Sequence, residues 1–297
     1  MIPIRRGLLS ALILSLLVSM TGCNANENKA DASVKYNAIR DQFLAQSAYS
    51  FYGRTKLVTG STTNSNLVNY SGVVQGKDVY LDLRLSNPAE KSATMMSLVS
   101  RGPELFVKSS KQSDWSPVAG QDFSVRQEFE NWNPIANVYQ MDQLKARVLP
   151  LRDGNREDDF GAVRVLLDSN KLKNWLREQV RSQQRSQTLG IQSNGMRTTA
   201  IHTPKLKMML SLDEGIGRQG TATIQANQSN SELDNMIDNM ELEAEYTIHY
   251  DRKNLLPTKL TMAIRSQYVH GNQNVVEHSE IETFIRDYGT KARIPSP

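Results

Sequence analysis

Cys23 is the only cysteine in 297 residues, and a lone thiol can act as a nucleophile or a point of covalent attachment but not as half of an internal disulfide. It closes an apolar run, "LLVSMTGCN" at residues 16–24. Other spellings that suggest chemistry fail on context. "GIGRQG" at 215–220 has the GxGxxG spacing of a dinucleotide-binding turn. The flanking "LKMMLSLD" and "TATIQA" read as β, so Gly215, Gly217 and Gly220 are expected to bend a hairpin instead. "DGNREDD" at 153–159 offers alternating oxygen ligands, yet Asp158 stands where a calcium loop needs glycine and Arg164 where it needs the closing glutamate. His202, His249, His270 and His278 lack paired zinc spacing, and neither GxSxG nor SxxK occurs. The sequence therefore predicts no metal site, no cofactor and no enzyme active site.

What remains is Cys23 and the segment before it. Arg5 and Arg6 precede "LLSALILSLLVSM", an apolar stretch shorter than the roughly 20 residues a bilayer span needs. Residues 1–22 thus read as a signal peptide, and "SMTGC" is similar to the lipobox of bacterial lipoproteins, whose cysteine takes a diacylglyceryl group before cleavage. The competing readings are an ordinary signal peptide with a chance cysteine, or an uncleaved anchor. Gly22 and the polar run after Cys23 favour acylation. Without Arg5 and Arg6 the chain carries 35 − 2 = 33 basic against 31 acidic residues, a net charge of +2. That near neutrality, with no basic stretch interleaved with aromatics, argues against a nucleic-acid partner.

Residues 23–33 are expected to be the lipidated N-terminus and a flexible leash, because "NANENKADAS" is small and polar with no apolar period. From residue 34 to 290 the pattern is that of one β-rich domain with an insertion near 183–240. Period-two alternation is its main signal. In "DVYLDLRLS", Val79, Leu81, Leu83 and Leu85 share one face. In "ELEAEYTIHY", Leu242, Ala244, Tyr246, Ile248 and Tyr250 do so, and "TKLTMAIRSQY" repeats it with Leu260, Met262, Ile264 and Tyr268. Further strands are expected at 49–59, 66–75, 94–101, 104–108, 145–151, 161–167, 205–212, 220–226 and 275–286. Parallel strands flanked by helices would be apolar on both faces, which disfavours a doubly wound fold.

Helices are expected in four places. The first carries Val34, Tyr36, Ile39, Phe43 and Leu44. A second opens at "NWNP" with Asn133 as N-cap and runs through Ile135, Val138 and Tyr139. A third, "DSNKLKNWLREQV", is capped by Asp168 or Ser169 and sets Leu172, Trp175, Leu176 and Val180 in one stripe. A short fourth lies in "SELDNMIDNM".

The order of these parts, carried by "SMTGC", the strand series from Tyr49 to Arg286 and the hairpin "YTIHYDRKNLLPTKLTMAI", resembles the LolA-like and LppX-like lipoproteins. The resemblance implies a mainly β (α+β) fold, an open antiparallel half-barrel with a few helices on its concave side. It also implies an extracytoplasmic protein, lipid-anchored to a bacterial cell membrane, with a Gram-positive envelope the expected setting. A curved sheet with one apolar face must cover that face, and a few helices leave room for an apolar pocket. Leu83, Trp175, Leu176, Tyr246, Ile248 and Met262 are the expected lining for a lipid or other amphiphile. Two other readings stay open: an envelope module that contacts a protein partner and takes no small ligand, and a surface enzyme.

Overall fold

The computed structural model describes residues 24–59, 68–87, 92–110, 113–118, 123–151, 159–190, 234–270 and 273–297. The expected strands at 205–212 and 220–226 and the "GIGRQG" stretch lie outside them. Helix α1 (Asn24–Leu44) leads into a meander of β1 (Ala48–Thr59), β2 (Val68–Gln75), β3 (Asp78–Asn87), β4 (Ser92–Arg101), β5 (Glu104–Ser109) and β6 (Ser116–Pro117). Helices α2 (Phe123–Trp132) and α3 (Pro134–Leu144) follow, then β7 (Lys145–Leu151), β8 (Phe160–Leu167) and α4 (Ser169–Gly190). After a short helix over residues 234–239, a second meander of β9 (Glu241–Asp251), β10 (Pro257–His270) and β11 (Gln273–Arg286) completes the order.

All eleven strands form one sheet, β6-β5-β4-β3-β2-β1-β11-β10-β9-β8-β7, and every pairing is antiparallel. The first and last strands pair at its centre, whereas β6 and β7 stand at opposite edges. The sheet is therefore open, as a half-barrel. The connection between those edges is made by α2 and α3, and helices cover the face that a closed barrel would cover with its opposite wall. α1 packs on β7, α3 on β8 and α4 on β9, while α2 touches α3 and α4.

The alternation dictates which face is covered. One row of buried, directly paired residues, Met96, Leu83, Tyr70, Gly53, Thr283, Leu260, Ile248 and Val163, crosses β4 to β8 without a break. The neighbouring row holds Thr55, Ile281, Met262, Tyr246 and Val165. A slip of one residue in any strand would turn its whole apolar set to solvent, so burial of this face fixes the register.

Close approach at glycine bends the sheet. Tyr70 stands directly opposite Gly53, and its ring and the Glu282 carbonyl oxygen both crowd the position a Gly53 Cβ would take. Phe51 occupies the same place over Gly72, and Tyr250 over Gly161. An aromatic ring folded over a glycine supplies the packing the glycine lacks and allows the strand to coil. Gly53→Ala is accordingly expected to cost about 2–3 kcal/mol through overpacking against a backbone carbonyl that cannot yield. Urea unfolding would show this as a lowered midpoint at unchanged slope, and an unshifted midpoint would contradict the assigned contact.

Several local expectations change. α1 begins at Asn24, so residues 24–33, expected as a leash, are helical. Ala, Glu and Lys without Pro or Gly extend the helix from its packed turns at little cost. Its buried stripe is Ala32, Tyr36, Ile39 and Phe43, and Val34 is 67% exposed. The N-cap at Asn133 is as expected, its Oδ1 accepting from the Ile135 N–H at 3.1 Å. The inward face of α3 nevertheless runs through Val138, Met141 and Leu144, which leaves Tyr139 exposed. α4 is capped by Asp168, whose Oδ1 accepts from the Lys171 N–H at 2.9 Å, and it continues to Gly190 into the expected insertion. Helix α2, with Trp132 at 1% exposure, has no counterpart among the expected elements.

Candidate functional site beneath helix α1

The concave face is apolar through its middle rows and turns polar at one end. Along β10 the inward positions read Leu260, Met262 and Ile264, then Ser266. Opposite Ser266 on β11 is Glu277, 1% exposed, with Ser279 two residues on, also buried. Ser266 donates to Glu277 Oε2 at 3.4 Å, and the Tyr268 hydroxyl also bonds to Glu277. Just outside this end is a surface cleft of about 390 Å³, floored by Tyr268 and Met236 and edged by Asn239, Glu241, Gln267 and Asn274. Among the described residues no lysine or arginine lines it.

α1 packs on edge strand β7 and turns its stripe into the same buried cluster as the apolar rows. Its stripe sits at i, i+4, i+7 and i+11, the spacing that keeps side chains on one face of a 3.6-residue helix. Phe43 packs on Tyr49 with ring centroids 5.2 Å apart, and Tyr288 closes that end by meeting both rings. The Tyr288 hydroxyl donates to the Pro257 carbonyl at 2.6 Å. Midway, α1 is held by Asp142 of α3. This carboxylate accepts from Lys145 at 2.7 Å, Arg40 at 3.1 Å and the Tyr36 hydroxyl at 3.4 Å, and Lys145 sits 4.5 Å from the centre of the Tyr36 ring.

The Lys145 hydrogen bond, reinforced by Arg40, holds the Asp142 carboxyl below the usual carboxylate range. Burial first, then Asp142, pushes the Tyr36 phenol well above its ordinary value. Because the folded pKa of Asp142 is depressed, its contribution is complete above the unfolded value and is lost as pH falls through the folded one. The α1 attachment should therefore weaken below about pH 4. Thermal unfolding of the parent is expected to show this acid loss and Asp142→Asn to show less of it; equal acid sensitivity in the two would remove Asp142 from the attachment.

The expected lining residues come together here. Leu83, Tyr246, Ile248, Met262 and Leu176 are each at most 3% exposed and belong to one buried apolar cluster, while Trp175 packs on it half-buried. Leu83 and Ile248 share the first row described above, Tyr246 and Met262 the second, and Leu176 faces them from α4 beside Leu172. The sequence places Tyr246 in the expected lining but gives no role to its hydroxyl or to Tyr36 and Tyr70 beside it. Tyr36, Tyr70 and Tyr246 face the interior together, and Tyr70 pairs with Thr283 Oγ1 at 2.5 Å, whereas the hydroxyls of Tyr246 and Tyr49 have no hydrogen-bond partner among the described residues. A tyrosine at an inward strand position is the available signal, since phenylalanine would fill the same space.

Among the described residues no group of histidine, cysteine or acidic side chains could hold a metal ion, and no helix is long and apolar enough to cross a membrane. Cys23 lies outside them.

No family model and no curated protein matches the sequence. Among solved structures the chain is similar in fold to the lipoprotein LppX of Mycobacterium tuberculosis, at 8% identity and TM-score 0.41, covering 88% of this chain and 97% of that one. It is similar to LprF of Mycobacterium bovis at 9% identity and TM-score 0.39, covering 91% and 98%. A LolA superfamily protein of Nitrosomonas europaea matches at 8% identity and TM-score 0.28, covering 89% and 94%. The open half-barrel itself rests on this chain's own strand ladder.

Proposed function

We propose that the chain is an extracytoplasmic lipoprotein, acylated at Cys23, that takes the acyl part of a lipid or other amphiphile between helix α1 and the concave sheet. The observation that carries this reading is a largely apolar concave face, interrupted by Thr55 and Thr283 and more polar at one end, that is covered by helices instead of strands. A helix held by one stripe of side chains and a cluster of ion pairs can lift without breaking a strand ladder. The polar end around Ser266 and Glu277 suits a wet headgroup, and the middle rows suit the chain. Each methylene removed from water contributes about 0.8 kcal/mol, so eight give roughly 6 kcal/mol before ordering costs. Leu83, Trp175, Leu176, Tyr246, Ile248 and Met262 would line the acyl part, and no cofactor is involved. Because α1 starts one residue after Cys23, the anchor would hold the covering helix at the membrane surface. The reading is independent of envelope type.

A second reading, an envelope module that binds a protein partner, draws support from exposed Val269 (67%) and Val276 (37%) at the end of the β10–β11 hairpin. Mass spectrometry of an organic extract of the purified protein separates the two. An amphiphile recovered near one per chain, replaced saturably by a fluorescent fatty acid, is the result expected of a carrier. Absence of both would leave the interaction module.

A further inference from the structure

Tyr246 lies midway along β9 at an inward position, 3% exposed, directly paired with Met262 on one side and Val165 on the other. Its hydroxyl is buried and has no hydrogen-bond partner among the described residues. The neighbouring phenols are both engaged: Tyr36 donates to Asp142, and Tyr70 is bonded to Thr283 and the Glu282 carbonyl. Desolvation drives the Tyr246 phenol far above its ordinary value, so it is a donor at any working pH. Burying a donor without an acceptor is costly, and phenylalanine would occupy the same space without that cost. Tyr49, the other buried hydroxyl without a partner among the described residues, is packed against Phe43 and Tyr288, whereas Tyr246 stands between Met262 and Val165 in the inward rows, where an acceptor from outside the fold would complete it.

Resting on the lipid reading above, we propose that Tyr246 donates a hydrogen bond to the carbonyl oxygen of an esterified acyl chain, so that the site selects acyl esters over plain hydrocarbon. The position suits this role. From Met262, opposite Tyr246, to Ser266 at the polar end is four residues of strand, or about 13 Å, which leaves room for a headgroup between the ester and the rim. In the other direction Leu260, Ile248 and Phe51 offer only apolar surface to the chain. A free carboxylate at the depth of Tyr246 would be buried without a cation, which favours the ester over the acid.

The test uses residues 24–297, the whole chain after the anchor cysteine, freed of co-purified lipid and titrated with two fluorescent probes of equal length, parinaric acid methyl ester and the corresponding tetraene hydrocarbon. The parent should bind the ester about fivefold to tenfold more tightly, the span of one neutral hydrogen bond. Tyr246→Phe should bring the two affinities within about twofold while its unfolding temperature stays at or above the parent's, because no protein partner is lost. Tyr49→Phe, which also removes a hydroxyl without a partner but from the end closed by Phe43 and Tyr288, should keep the parent's ratio. An unchanged ratio in Tyr246→Phe, an equal drop in Tyr49→Phe, or a lowered unfolding temperature in Tyr246→Phe overturns the assignment while the lipid reading stands. Failure of the parent to bind either probe overturns the lipid reading and this assignment with it.

Discussion

Acyl labelling of the chain is expected to fall to background on the change Cys23→Ala, with the protein leaving the membrane fraction. The thiol is the only one in the chain and follows "SMTG" directly. One acyl chain gives marginal, reversible membrane binding, whereas the two of a diacylglyceryl group hold a protein in place. No described helix could substitute as a span. Metabolic labelling with a radioactive fatty acid, followed by fractionation, reads both effects. Persistent label and persistent membrane association in the variant would mean that Cys23 is not the anchor.

The second large effect is expected inside the half-barrel. Ile248 sits at 3% exposure between Leu260 and Val163 in the row that crosses the sheet. Ile248→Asp buries a carboxylate with apolar neighbours, which should cost about 4 kcal/mol or more, a large part of a domain's whole stability. Five residues back on the same strand, Glu243 faces solvent opposite Arg265. Glu243→Lys places like charges across the pair and should cost less than about 1 kcal/mol. Urea unfolding of both variants decides the matter, and comparable losses would mean that the faces of β9 are assigned wrongly.

The same two positions explain what was legible beforehand. Period-two alternation depends only on which residues are apolar, so "ELEAEYTIHY" and "TKLTMAIRSQY" reveal their inward faces and their pairing across the turn that begins at Asp251. That turn also has local signals. Asp251 Oδ1 accepts from the Lys253 N–H and Asn254 Oδ1 from the Leu256 N–H, each a side chain bonding backbone two residues on. Leu255, at φ 58°, carries the strain that these bonds hold in place. Helix faces were read less well. Val34 and Tyr139 are exposed, because a helix stripe is selected by what lies across from it, and the small Ala32 is buried in place of Val34. Helix α2 has no counterpart among the expected elements because most of "FSVRQEFENW" is polar, with Val125 and Trp132 its buried apolar residues among those described.

The candidate site was legible as a set of inward strand residues, and its cover was not. Leu83, Ile248, Tyr246 and Met262 follow from alternation alone, since any inward residue near the middle of a central strand reaches the concavity. The arrival of α1 over them, and its attachment through Asp142, depends on contacts more than one hundred residues apart in sequence, such as Arg40 with Asp142. No local pattern encodes such a pairing.

Photo-crosslinking tests the central claim most directly. Vesicles containing a phospholipid with a diazirine at the middle of one acyl chain would be incubated with the chain, irradiated, and the labelled peptides mapped by mass spectrometry. Label on the inward residues of β9 and β10, around Tyr246, Ile248 and Met262, and on the facing stripe of α1 at Tyr36 and Ile39, is the predicted result. Label confined to the outer strand faces or to the exposed β10–β11 end at Val269 and Val276 would contradict it.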